Sequence, residues 1–133
     1  MRVDTARKWI RQNLPRLQKR FKLEDWELTF EIFGSNEDEE ASAKCHPSPD
    51  YQWAIIEVWV SDISSERNLE MIISHELLHC VLSPIDHIRD LIDDLSDDSA
   101  KVVMYKYYHS TIERTVRNLE LILNLGIKSA KIV

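Results

Sequence analysis

Apolar positions change their period several times along the chain, and each change marks an element. Residues 4–22, DTARKWIRQNLPRLQKRFK, bring Trp9, Ile10, Leu14, Leu17 and Phe21 together at helical spacing with basic residues between them, which predicts a first helix. Pro15 lies inside it without a backbone donor, so a kink or a split into two turns is expected there. DWELTFEIF then alternates, with Trp26, Leu28, Phe30 and Ile32 opposing Glu27, Thr29 and Glu31. A period of two predicts a half-buried strand. After the polar turn GSNEDEE, the segment ASAKCH predicts a short second strand, ended by PSPD because prolines cannot join a ladder. YQWAIIEVWVS is β-branched and aromatic on both faces and predicts a buried central strand.

The second half of the chain is helical in pattern. Ser64 or Ser65 offers a cap for a helix that runs to about Ser83, where Pro84 stops it. IDHIRDLIDDLSDDS is rich in aspartate and predicts a surface turn of helix. From about Asp97 a long helix is expected, with Val103, Tyr107 or Tyr108, Ile112, Val116, Leu119 and Leu123 along its apolar stripe and Gly126 ending it. Together these elements predict an α+β fold in one domain spanning residues 1–133. Its parts are an N-terminal helix, a three-stranded and mainly antiparallel sheet, a middle helix and a long C-terminal helix.

Composition agrees with a helix-rich globule: 133 residues, 44% hydrophobic and 30% charged, with only two glycines and four prolines. No run approaches the roughly 18 apolar residues of a membrane span. MRVDTARKWIRQNL lacks the apolar core of a signal peptide, so a cytoplasmic protein without a membrane partner is expected. Cys45 and Cys80 belong to no C-x-x-C pair and are expected to be separate free thiols. The net charge of −6 is unevenly spread, because residues 1–22 hold eight Lys or Arg against one acidic residue. Such a start suits nucleic acid, an anionic surface, an acidic patch of the protein itself or simple solvation.

The segment IISHELLHCVL changes the picture most. His75 and His79, four residues apart on an apolar helix, project one turn apart on the same side. Zinc binds neutral imidazole nitrogens, and a catalytic site uses three protein ligands with water in the fourth position. Glu76, about 100° around the helix from His75, is displaced from the ligand position and suits a general base acting on that water. This is the H-E-x-x-H pattern of zinc proteases, and without a metal the buried imidazoles and carboxylate would be costly to satisfy. For the third ligand the sequence offers Glu113, one turn after His109 in YYHSTIERTVRNL and beside the stripe at Ile112 and Val116. His87, His109 and Asp86 are alternatives of accepted ligand type. His109, Tyr105 and Tyr108 qualify as donors to a developing oxyanion. The longer H-E-x-x-H-x-x-G-x-x-H pattern is not met, since Leu82 and Ile85 occupy its glycine and last histidine positions.

The order of elements, with MIISHELLHCVLSP followed by IERTVRNL, resembles the small zincin-like metallopeptidases called minigluzincins and those encoded in phages and prophages. The resemblance implies a zincin-like fold with one zinc ion on His75, His79 and Glu113, Glu76 as the base, and a peptide or protein substrate paired along the strand near Ala41–His46. The chain departs from the thermolysin-type second motif, which has asparagine where His109 stands. SprT-like proteases are a second resemblance; they would promote His87 and a nucleic-acid role for the basic helix, but their glycine-containing follow-on stretch is missing. The expected activity is that of a zinc metallopeptidase, narrow in substrate or regulated. The competing expectation is a zinc-stabilised, non-catalytic binding module that meets nucleic acid through Arg7, Lys8, Arg11, Arg16, Lys19 and Arg20.

Overall fold

A computed structural model of the chain describes residues 1–35 and 41–123. Helix α1, Val3–Arg20, buries Ala6, Trp9, Ile10 and Leu17. It runs unbroken past Pro15, so the expected division into two turns does not occur. Pro15 is exposed, while Ile10 before it and Leu17 after it sit in the same core. That shared burial keeps the helix continuous against the local loss of a backbone hydrogen bond.

The three strands are β1 (Glu27–Phe33), β2 (Ala43–Ser48) and β3 (Trp53–Trp59), in the spatial order β1-β3-β2. β1 runs parallel to β3, with Glu27 opposite Trp53 and Phe33 opposite Trp59. β2 runs antiparallel to it, with Ala43 opposite Val58 and Ser48 opposite Trp53. The sheet is therefore mixed, which corrects the expectation of a mainly antiparallel one. Periodicity fixes which side chains are buried but not which way a neighbour runs. The most apolar strand takes the middle: Ala54, Ile56 and Val58 are buried on one face of β3, and Ile55, Glu57 and Trp59 are half-buried on the other. β2 continues past its predicted end at His46 and includes Pro47, opposite Ala54. Its place at the sheet edge allows this, because an edge strand has one side whose donors need no ladder partner.

Helix α2, Glu66–Leu82, follows β3 and buries Leu69, Ile73, Leu77, Leu78 and Cys80. The Ser65 hydroxyl caps it, accepting the Asn68 N–H at 3.1 Å, as the sequence led us to expect. A 3₁₀ turn, Ser83–Asp86, and a short helix α3, His87–Asp93, form the aspartate-rich connection. Helix α4, Asp98–Ile122, is capped by Asp97, whose carboxylate accepts the Ser99 and Ala100 N–H groups at 2.9 and 3.2 Å. Its buried stripe holds Tyr108 and Val116, with Ile112 and Leu119 packed at the margin. Of the alternatives Tyr107 and Tyr108, Tyr108 takes the buried place and Tyr107 is 70% exposed; Val103 was expected on that stripe but stands 66% exposed. The predicted stop at Gly126 lies outside the described residues. Among the described residues no helix is long and apolar enough to cross a membrane.

Candidate metal centre

α2 packs against β2 and α4 packs against α2, so three elements converge beside His75 and His79. The core claims the face of α2 that carries Ile73 and Leu77. His75 and His79 stand at its margin, half-buried over a cleft of about 490 Å³ lined by residues of β2, α2 and α4. Their Nε2 atoms are 3.2 Å apart. Glu113 reaches in from α4, with Oε1 3.1 Å from His79 Nε2 and Oε2 3.6 Å from His75 Nε2.

Those three residues could hold a metal ion. A four-coordinate ion with bonds of about 2.0–2.1 Å separates its ligand atoms by roughly 3.3 Å, and the observed spacings lie on either side of that figure. The donor set fits as well: two imidazole nitrogens and a carboxylate oxygen face one point. A cation satisfies all three together, whereas a shared proton can serve only one pair at a time.

The remaining nitrogen of His75, Nδ1, is bonded to the carboxylate of Glu120. Donation of the Nδ1 proton to that carboxylate leaves the lone pair on Nε2, the atom that faces Glu113 and His79. Sequence reading missed Glu120, although a signal existed, since seven residues on a helix are close to two full turns from Glu113. Glu120→Ala is expected to weaken metal affinity about 10–100-fold while one ion still binds at saturation. Competition against a coloured chelator measures this, and an unchanged affinity would remove Glu120 from the site.

Glu76 is 7% exposed and lines the same cleft. Burial pushes its carboxyl up from 4.5 to about 7, with Glu113 and Glu120 adding to the rise and His75 and His46 opposing it. Burial also lowers the pKa of His79, assisted by His75, which favours the neutral ring a metal requires. The raised Glu76 value makes its charge unfavourable to folding. That penalty is absent below about pH 4.5, grows as pH rises, and is complete above about pH 7. Metal-free Glu76→Gln should therefore be more stable than the metal-free parent at pH 8, by up to about 3 kcal/mol, with the gain fading toward pH 4.5. Urea denaturation at the two pH values tests this, and a gain independent of pH would refute it.

The other predicted residues take distinct places. His109 is exposed and lines the cleft but lies outside the three-residue group. Asp86 also lines the cleft, where it accepts the Tyr108 hydroxyl. Burial and that bond push the Tyr108 pKa up to about 12, so this hydroxyl is committed to Asp86. Tyr105 is not among the residues lining the cleft. The side chain of His87 lies outside the described residues. Cys45 and Cys80, expected to be unrelated, meet with their sulfurs 3.3 Å apart, although both are free thiols. No family model, curated protein or solved structure matches the chain.

Proposed function

We propose that the protein is a zinc-dependent metallopeptidase of zincin-like design. The observation that carries this reading is the convergence of His75 Nε2, His79 Nε2 and the Glu113 carboxylate at 3.1–3.6 Å, with buried Glu76 on the same cleft. A zinc ion bound there would supply Lewis acidity, polarising a carbonyl and lowering the pKa of a water. His75, His79 and Glu113 would hold the ion, and Glu120 fixes the ring of His75. Glu76 accepts the water's proton and returns it to the leaving amine. Its raised proton affinity suits the second step, and it would be held ionised for the first by a cation at the neighbouring histidines. His109, which lines the cleft, would be the donor toward the oxyanion. β2 borders the cleft as the edge strand, where an extended peptide can add by strand pairing.

The competing nucleic-acid module draws less support from the structure. Three of the six cations it would use face the protein itself: Arg16 pairs with Glu70 at 2.6 Å, Arg7 with Asp4 at 3.0 Å, and Arg20 donates to the Leu123 carbonyl at 3.1 Å. The deciding experiment is zinc-dependent cleavage of a peptide library, read by mass spectrometry for the parent and for Glu76→Gln. Cleavage by both alike, or by neither, would sink the catalytic reading.

A further inference from the structure

Outside the metal group, two cysteines from separate elements meet beside the cleft. Cys45 is half-buried on the edge strand β2 and lines the cleft, whereas Cys80 is fully buried on α2, one residue after His79. Thirty-five residues separate them in sequence, yet their sulfurs are 3.3 Å apart. A disulfide needs a sulfur separation of about 2.0 Å. The remaining movement is within reach of side-chain rotation and small shifts of an edge strand. One thiol is open to the cleft and the other is shielded, so a reagent arriving from solvent meets Cys45 first.

We propose that Cys45 and Cys80 are a redox-modifiable dithiol, oxidised by a low-molecular-weight disulfide that enters through the cleft and ties β2 to the metal-binding helix. In the first exchange the Cys45 sulfur attacks one sulfur of the reagent, forming a mixed disulfide and releasing one thiol. In the second the Cys80 sulfur attacks Cys45, forming the internal bond and releasing the other thiol. The protein loses two protons and two electrons, which reduce the reagent disulfide to two thiols. The Cys80 contact and burial push the Cys45 pKa up, which keeps thiolate scarce and slows the exchange. The link closes a loop between the edge strand and α2, fixing one wall of the cleft to the helix that carries His75 and His79.

Glutathione disulfide is the probe. After incubation of the metal-free full chain, the intact mass should fall by two hydrogen atoms, and peptide mapping should find Cys45 joined to Cys80. Thermal unfolding of the product should rise by roughly 5–15 °C, reversibly with dithiothreitol. Cys80→Ser should halt at a glutathione adduct on Cys45, and Cys45→Ser should leave Cys80 unmodified. A parent that keeps both thiols, or that accumulates a stable adduct on Cys45, would overturn the proposal without reference to either variant. These readouts require neither zinc nor peptidase activity, so they stand apart from the proposed function.

Discussion

Glu76→Gln is expected to lower peptide hydrolysis about 10²–10⁴-fold while the protein still binds one metal ion per chain. The substitution keeps the volume and polarity of a side chain that is 7% exposed, so the cleft retains its shape. It removes only the ability to take up and release a proton. Glu76 is not a member of the group that could hold the ion, so elemental analysis should give the same stoichiometry for variant and parent. Loss of metal together with activity would assign Glu76 a structural part instead. Undiminished hydrolysis would remove it as the base.

The second large effect concerns the ligands. Glu113→Ala, His75→Ala and His79→Ala should each lower metal affinity by about 10²-fold or more, beyond the 10–100-fold assigned to an outer partner such as Glu120. Each leaves at most two donors where a zinc site uses three protein ligands. An ion held there would also join α2 to α4, elements that otherwise meet through apolar packing and the contacts of Glu113 and Glu120 with the two histidines. Binding at 1,000 times the dissociation constant stabilises a fold by about 4 kcal/mol, so a chelator should lower the melting temperature of the parent and leave that of Glu113→Ala unchanged. His109→Ala should retain the ion and lose only rate. A parent that takes up no metal from a zinc-containing buffer would refute the centre altogether.

Much of this arrangement was legible in the sequence. The spacing of His75 and His79 fixed their common side because helical geometry is regular, and Ser65 and Asp97 announced the starts of α2 and α4 through their capping chemistry. Glu113 stood out as a carboxylate beside the stripe at Ile112 and Val116. The rest depended on tertiary neighbours. Strand periodicity carries no direction, so the parallel pairing of β1 with β3 could not be read from it. The contact of Cys45 with Cys80 joins separate elements, and nothing local in either partner marks the other, whereas Glu120 was marked only by its two-turn spacing from Glu113 on α4. Val103 has the same apolar character as Val116, but only the latter meets the core.

The position of β3 between two partners has a kinetic consequence. β2 and β3 are joined by residues 49–52, where Gln52 adopts a φ of 55°, so their hairpin closes a short loop. Pairing β1 with β3 brings Glu27 to Trp53 across the whole of β2, a larger entropic demand that is met only after the hairpin offers an edge. The hairpin should therefore form early and β1 dock late. In that order, Ile56→Val slows refolding, whereas Ile32→Val mainly speeds unfolding, as stopped-flow chevrons would show. The same edge strand that walls the cleft is then among the first parts of the molecule to exist.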